Sequence, residues 1–124
     1  MAEIKKADVD EMKVFARPPE LVIKVLTATM TLLGLEYTER DYRYIQRMLG
    51  SSTFLQDVAK LDVGSISLET ALKAHSRIEG ITEENLCRVS TAAVSFLRWV
   101  KDVLAAVEKR TGDLSVATKE EPTA

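Results

Sequence analysis

Cysteine and histidine are nearly absent from this 124-residue chain, which contains one of each, Cys87 and His75. A single cysteine excludes an internal disulfide and is typical of a reducing compartment. One cysteine and one histidine are also too few for a structural zinc site, which takes four ligands. We therefore expect Cys87 to be a small buried apolar residue, and His75 to lie at the surface or the edge of the core. We expect the chain to need no metal or cofactor.

Glycine is scarce as well, and the strand-like alternation of apolar and polar residues is missing. The five glycines fall between helical patterns, so they mark helix ends and form no phosphate-binding loop. No acid and cysteine join His75 in a catalytic pattern along the sequence. These features predict an all-helical protein that is not an enzyme.

An excess of positive charge is a further absence. The chain has 17 lysines and arginines against 19 aspartates and glutamates, which gives a net charge of -2. Nucleic-acid-binding modules usually carry a clear basic excess, so we expect no nucleic-acid partner. Arg40, Arg43 and Arg47 do recur at helical spacing among tyrosines, a pattern that can stack on bases. We favour a solvated basic face, which could still touch an acidic protein surface.

Long hydrophobic runs are also lacking. The longest apolar stretch, from Leu21 to Leu35, is interrupted by Lys24 and three threonines. It is therefore too short and too polar to cross a bilayer. The first six residues contain no apolar run and so no secretory signal. We expect a cytoplasmic or cytoskeletal protein without a membrane partner.

The sequence does contain a series of short amphipathic helices separated by proline, glycine and serine. Pro18-Pro19 ends the first helix, because proline lacks the amide hydrogen that a helix interior needs. We predict three regions: a lead-in helix at 1–17, a compact bundle of about six helices at 18–110 that includes the return helix, and a disordered polar tail at 111–124. The predicted helices span 2–15, 19–33, 38–49, 53–61, 68–78, a segment from Thr82, and 91–109, with the last two joined or bent near Ser90.

Local signals predict how several helices begin and end. The hydroxyl groups of Thr38, Ser67 and Thr82 are suited to cap helix N-termini. Gly34 and Gly80 follow helices and are suited to their C-terminal caps.

The apolar faces predict a single core. Trp99 and Leu32 should belong to it, and the helix that carries His75 should turn Leu72 and Ile78 inward. The lead-in and return helices should pair as a short antiparallel coiled-coil-like base, in which Ile4, Val9, Met12 and Phe15 meet Leu104 and Val107.

Four segments in a fixed order carry a family resemblance. They are Met12-Lys13-Val14-Phe15-Ala16-Arg17-Pro18-Pro19, then Leu32-Leu33-Gly34, then Thr53-Phe54-Leu55, and finally Cys87-Arg88-Val89-Ser90-Thr91-Ala92-Ala93 with Arg98-Trp99-Val100-Lys101. In this order they resemble the microtubule-binding domain at the tip of the dynein heavy-chain stalk. The resemblance covers roughly Lys6 to Glu108.

The resemblance implies a mode of action. In that family the chain rises along one strand of an antiparallel coiled coil, folds into a bundle that sits between tubulin subunits, and returns along the second strand. Sliding of the strands switches the bundle between strong and weak binding. By this resemblance the helix from Pro19, the helix from Thr53 and residues 88–100 would face tubulin. The implied tubulin-contact candidates are Lys24, Lys60, Glu84, Arg88 and Arg98.

Departures from the family pattern leave a second function open. The flanks of the bundle are short and no AAA motor follows, so we expect either a fragment of a parent dynein heavy chain or a stand-alone relative, unable to hydrolyse ATP. Cytoplasmic members carry a lysine where Ile23 stands and an arginine where Ser51 stands, which predicts weaker tubulin affinity. The alternative is a structural or adaptor protein of the cytoskeleton or a cilium that keeps the fold but binds another protein.

Overall fold

The computed structural model describes residues 3–34 and 42–111. In these two ranges the chain forms seven α-helices, one short 3-10 helix and no strand, which confirms the all-helical prediction. The predicted cap at Thr38, the arginine Arg40 and residues 112–124 of the predicted tail lie outside the described residues. The helices are α1 (Lys6–Lys13), α2 (Glu20–Leu32), α3 (Tyr42–Leu49), α4 (Phe54–Lys60), α5 (Leu68–Arg77), α6 (Glu83–Cys87) and α7 (Thr91–Thr111), with the 3-10 helix at Val63–Ser65.

The double proline separates α1 from α2, as predicted. Pro19 is the N-cap of α2, and its extended backbone leads into the first helical turn. Most of α2 is buried, including two of its threonines. Their hydroxyl groups donate to the carbonyl four residues earlier, from Thr27 to Ile23 at 2.6 Å and from Thr29 to Val25 at 3.0 Å. Hydroxyl groups satisfied in this way can lie inside an apolar core.

The long helix α7 is the element around which the others pack. Helices α1, α2, α5 and α6 all contact it. Trp99 is only 2% exposed and shares one core cluster with Leu32, which confirms their predicted placement. The fully buried residues of α7 recur at helical spacing: Ala93, Phe96, Leu97, Val100, Val103 and Val107.

The lead-in helix α1 packs against both α7 and α3. Its eight residues make about two turns, and Ile4, Val9 and Met12 are buried as predicted. Two side chains of α3 donate hydrogen bonds to carbonyl groups at the C-terminal end of α1. The hydroxyl of Tyr42 donates to the Met12 carbonyl at 3.1 Å, and the amide of Gln46 donates to the Lys13 carbonyl at 2.8 Å.

The predicted caps are present where the structure describes them. The backbone amide of Thr70 donates to the Ser67 hydroxyl at 3.1 Å and starts α5. Thr82 and Asn85 exchange two hydrogen bonds, of 2.9 and 3.0 Å, in a capping box at the start of α6. Gly34 and Gly80 have φ angles of 79° and 82°, the left-handed conformation that favours glycine after a helix.

The expected burial of Cys87 and Leu72 is wrong, and the last two helices are more distinct than predicted. Cys87 is exposed, because its neighbour Leu86 takes the buried position of the short α6. Leu72 is 37% exposed, since Ala71 and Ala74 form the buried face of α5, while Ile78 and the half-buried His75 lie as expected. Helices α6 and α7 are separate, because residues 88–90 interrupt them.

Candidate partner-binding surface

Lys24 lies on the exposed side of α2, while the nearby Val22 and Val25 are buried in the core. Its ammonium group is 3.4 Å from the carboxylate of Glu20, one turn earlier. Lys24 also lines a groove of about 280 Å³ between α2 and the end of α5, together with Ile23 and Arg77. The groove therefore brings together two cations that are far apart in sequence, and sequence reasoning missed Arg77 because nothing local links it to α2.

Arg88 stands on the turn between α6 and α7. It is the C-cap of α6, and the amides of Val89 and Ser90 both donate to the carbonyl of Leu86, at 3.0 and 2.9 Å. The buried hydroxyl of Ser90 then accepts from the amide of Ala93 at 3.1 Å, at the start of α7. These three hydrogen bonds shape the turn between the buried residues Leu86 and Ser90.

The side chain of Arg88 points to solvent from this turn. It is 75% exposed, and it pairs at 3.4 Å with Glu84, which is 81% exposed. The two residues are one helical turn apart, the spacing at which a glutamate and a following arginine attract each other on a helix. The predicted pair of site residues is therefore present as a pair, on the surface and accessible to a partner.

Arg98 is engaged differently. Its Nε and Nη2 donate to the two carboxylate oxygens of Glu83 at 3.0 and 2.9 Å, a bidentate pair that joins α7 to α6. These hydrogen bonds lower the pKa of Glu83 and raise the pKa of Arg98. Charge-assisted bidentate pairs are the more directional kind of ion pair. Sequence reasoning missed Glu83 as the partner, because the two residues are 15 positions apart.

Lys60 lies exposed in the last turn of α4 and has no ion-pair partner among residues 3–34 and 42–111. The same helix borders a cavity of about 710 Å³ at the start of the lead-in. Leu55 and Val58 of α4 line this cavity with Ile4 and Trp99.

The structure thus gathers three of the five candidates, Glu84, Arg88 and Arg98, on α6 and α7, and leaves Lys24 and Lys60 on two other helices.

The described part of the predicted basic face is exposed. Arg43 and Arg47 lie on the solvent side of α3, and the Arg47 guanidinium carbon is 5.9 Å from the centre of the Tyr44 ring. This cation–π contact gives Tyr44 an intramolecular neighbour.

Residues 3–34 and 42–111 contain no group of three or more histidine, cysteine, aspartate or glutamate side chains that could hold a metal ion. No helix in this part of the chain combines the length and the apolar character needed to cross a membrane.

Comparison with known proteins decides the relationship. Dynein axonemal heavy chain 6 of Homo sapiens is 32% identical over 98 residues, a match that covers 77% of this chain and 2% of that protein. Dynein axonemal heavy chain 2 of Homo sapiens is 31% identical over 103 residues, 82% of this chain and 2% of that protein. This chain is a relative of a short segment of dynein heavy chains. No protein-family model matches it.

More distant relatives are of the same kind. The dynein gamma chain of the flagellar outer arm of Chlamydomonas reinhardtii is 24% identical over 145 aligned positions, which cover 94% of this chain and 3% of that protein. This chain therefore spans only about 2–3% of the length of the curated dynein heavy chains that it matches. The similarity concerns one small region of much longer chains.

Proposed function

We propose that this chain is a microtubule-binding module that contacts tubulin through Lys24, Lys60 and Arg88 and has no enzymatic activity. The observation that carries the proposal is Arg88, a cation 75% exposed on a turn whose next two amides donate to the Leu86 carbonyl. The resemblance to the dynein stalk tip assigns this position to tubulin contact, with Glu84 adjusting it. The similarity to dynein heavy chains supports the same function.

The charges of the proposed surface predict weak binding. Lys24 and Arg88 are each paired with a glutamate of their own helix, Glu20 and Glu84 respectively. An acidic tubulin surface must compete with these glutamates for the cations. Exposed ion pairs contribute little stability, so a partner carboxylate can displace them. Such contacts are screened by salt, with a Debye length of about 8 Å at physiological ionic strength.

Microtubule co-sedimentation at low and at physiological salt tests the proposal. We expect the wild-type chain to pellet with microtubules, and more so at low salt. Arg88→Ala should weaken pelleting severalfold and leave the melting temperature nearly unchanged, because the side chain is exposed. Lys109→Ala is the matched control, since it removes the same charge from an exposed position near the end of α7.

A substitution that adds charge sharpens the test. Ser51 is exposed at the position where cytoplasmic dyneins carry an arginine, so Ser51→Arg should strengthen co-sedimentation by adding a cation. If the wild-type chain does not pellet even at low salt, and Ser51→Arg does not restore binding, tubulin is the wrong partner.

The alternative is an adaptor that keeps the fold and binds a different protein. It is favoured by two observations: Lys24, Arg88 and Arg98 are all paired with acids of the same chain, and the net charge is -2. An adaptor of this kind would not pellet with microtubules at any salt concentration. In either case the axonemal and flagellar relatives support a place in a cilium or flagellum.

A further inference from the structure

We propose that Arg98 is a positioning residue, which clamps α6 onto α7 through Glu83 and thereby fixes Arg88 for partner contact. This inference rests on the proposed microtubule-binding function. It gives Arg98 an intramolecular role in place of the direct tubulin contact that the resemblance implies.

The first step of the argument is the length of α6. This helix has five residues, Glu83–Cys87, far fewer than an isolated helix needs to be stable in water. Its conformation must therefore be imposed by contacts to the rest of the protein. Arg88 is its C-cap, so the position of Arg88 follows the orientation of α6.

The second step is an inventory of what holds α6. Leu86 is fully buried and anchors the middle of the helix in the core. The capping box of Thr82 and Asn85 is local and does not reach α7. The bidentate pair between Glu83 and Arg98, with bonds of 2.9 and 3.0 Å, is a direct polar bridge from the first residue of α6 to α7. The buried Leu86 and Ser90 hold the middle and the C-terminal end of this segment, and the bridge from Glu83 adds a contact at its N-terminal end that restricts rotation about Leu86.

The third step concerns the charge of Arg98. Its Nε and Nη2 already bind both carboxylate oxygens of Glu83, so the directional part of the guanidinium is occupied within the chain. A partner carboxylate would have to break this pair. Arg88 is a more available cation, because its pair with Glu84 has a single, longer contact of 3.4 Å.

The two roles for Arg98 predict opposite effects of one substitution. Glu83→Gln removes the acid and leaves the Arg98 cation free. If Arg98 contacted tubulin directly, this change would strengthen microtubule binding. If Arg98 acts as a clamp, Glu83→Gln weakens binding about two- to fivefold, the size expected for an exposed ion pair. Arg98→Ala then weakens it equally, and the double variant weakens it no further.

Charge reversal gives a rescue test. The double variant Glu83→Arg with Arg98→Glu should bind microtubules better than either of its single variants, because the bridge is restored with reversed polarity. A direct contact would not be rescued, since the partner's acid would face a glutamate at position 98.

Amide hydrogen exchange separates a failure of the clamp from a failure of the proposed function. The amides of Leu86, Val89 and Ser90 report on α6 and its turn, through bonds of 2.9–3.0 Å. We expect Glu83→Gln to speed their exchange severalfold. Glu69→Gln, the same chemical change at an exposed position in the first turn of α5, is the control and should leave it unchanged, because Glu69 belongs to another helix.

Two results overturn parts of the proposal. Unchanged exchange in Glu83→Gln, or stronger microtubule binding by that variant, means that Arg98 is not a clamp. If the amides of Glu83→Gln exchange faster but the wild-type chain does not bind microtubules, the proposed function is overturned and the clamp of α6 is still supported.

Discussion

Replacing Trp99 with alanine should remove a large part of the protein's free energy of unfolding. Trp99 is 2% exposed in the core cluster of the central helix α7, and it is the only tryptophan in the chain. Its ring also forms part of the wall of the cavity that Ile4 and Leu55 line at the start of α1 and in α4. The substitution therefore acts where three helices meet.

The magnitude follows from the area of the ring. Burying a tryptophan removes about 150–250 Å² from water, which is worth about 4–6 kcal/mol at about 25 cal/mol per Å². Alanine keeps a methyl group and the unfolded chain shields some area, which lowers the loss to about 3–5 kcal/mol. Because a cavity of about 710 Å³ already borders the ring, water can enter the space left behind, and we expect the lower half of that range.

Urea unfolding followed by far-UV circular dichroism measures this loss, since the variant has no tryptophan fluorescence. We expect the free energy of unfolding to fall by about 3–4 kcal/mol and the melting temperature by roughly 11–15 °C. The control is Leu72→Ala on the exposed side of α5, which should cost no more than about 0.5–1 kcal/mol. A loss below about 1 kcal/mol for Trp99→Ala would place the ring outside the core and refute the packing of α7 described above.

Two further predictions concern stability. Burial raises the pKa of Tyr42 to about 12, above the unfolded value of about 10. The contribution of the neutral Tyr42 side chain to the free energy of unfolding is therefore complete below about pH 10 and is lost as the pH rises to about 12. This decline of the unfolding free energy at alkaline pH should be smaller in Tyr42→Phe. Gly80→Ala should cost about 1–2 kcal/mol in a denaturant titration, because the φ of Gly80 is 82° with open space around it, and an unchanged midpoint would contradict the left-handed cap.

Much of the fold follows from local rules that can be read from the sequence. The apolar spacing of α2 and α7 predicts their buried faces, because a helix repeats every 3.6 residues. Ser67 and Thr82 start helices where their hydroxyl groups meet free backbone amides. Pairs one turn apart, such as Glu84 with Arg88, can also be foreseen.

Burial within short helices was harder to predict. Cys87 is a residue type that is often buried, yet it is exposed, because five residues of α6 have room for one buried position and Leu86 occupies it. In α5 the buried face is made of small residues, Ala71 and Ala74. Close approach to α2 favours alanine there, so the larger Leu72 is displaced toward solvent. Residue type alone does not reveal either outcome.

The candidate site depends on contacts that no local rule contains. Glu83 and Arg98 meet only because α6 folds back on α7, and Lys24 lies near Arg77 only because the end of α5 reaches α2. A count of charges treats all these cations as equal, at a net charge of -2. The structure distinguishes them by the geometry of their acids: Arg98 is held by two short bonds across helices, whereas Arg88 shares one long contact within its own segment. Since a partner must displace the existing acid, the more loosely held cation is the better candidate for binding, and the more tightly held one is better suited to fix the turn that presents it.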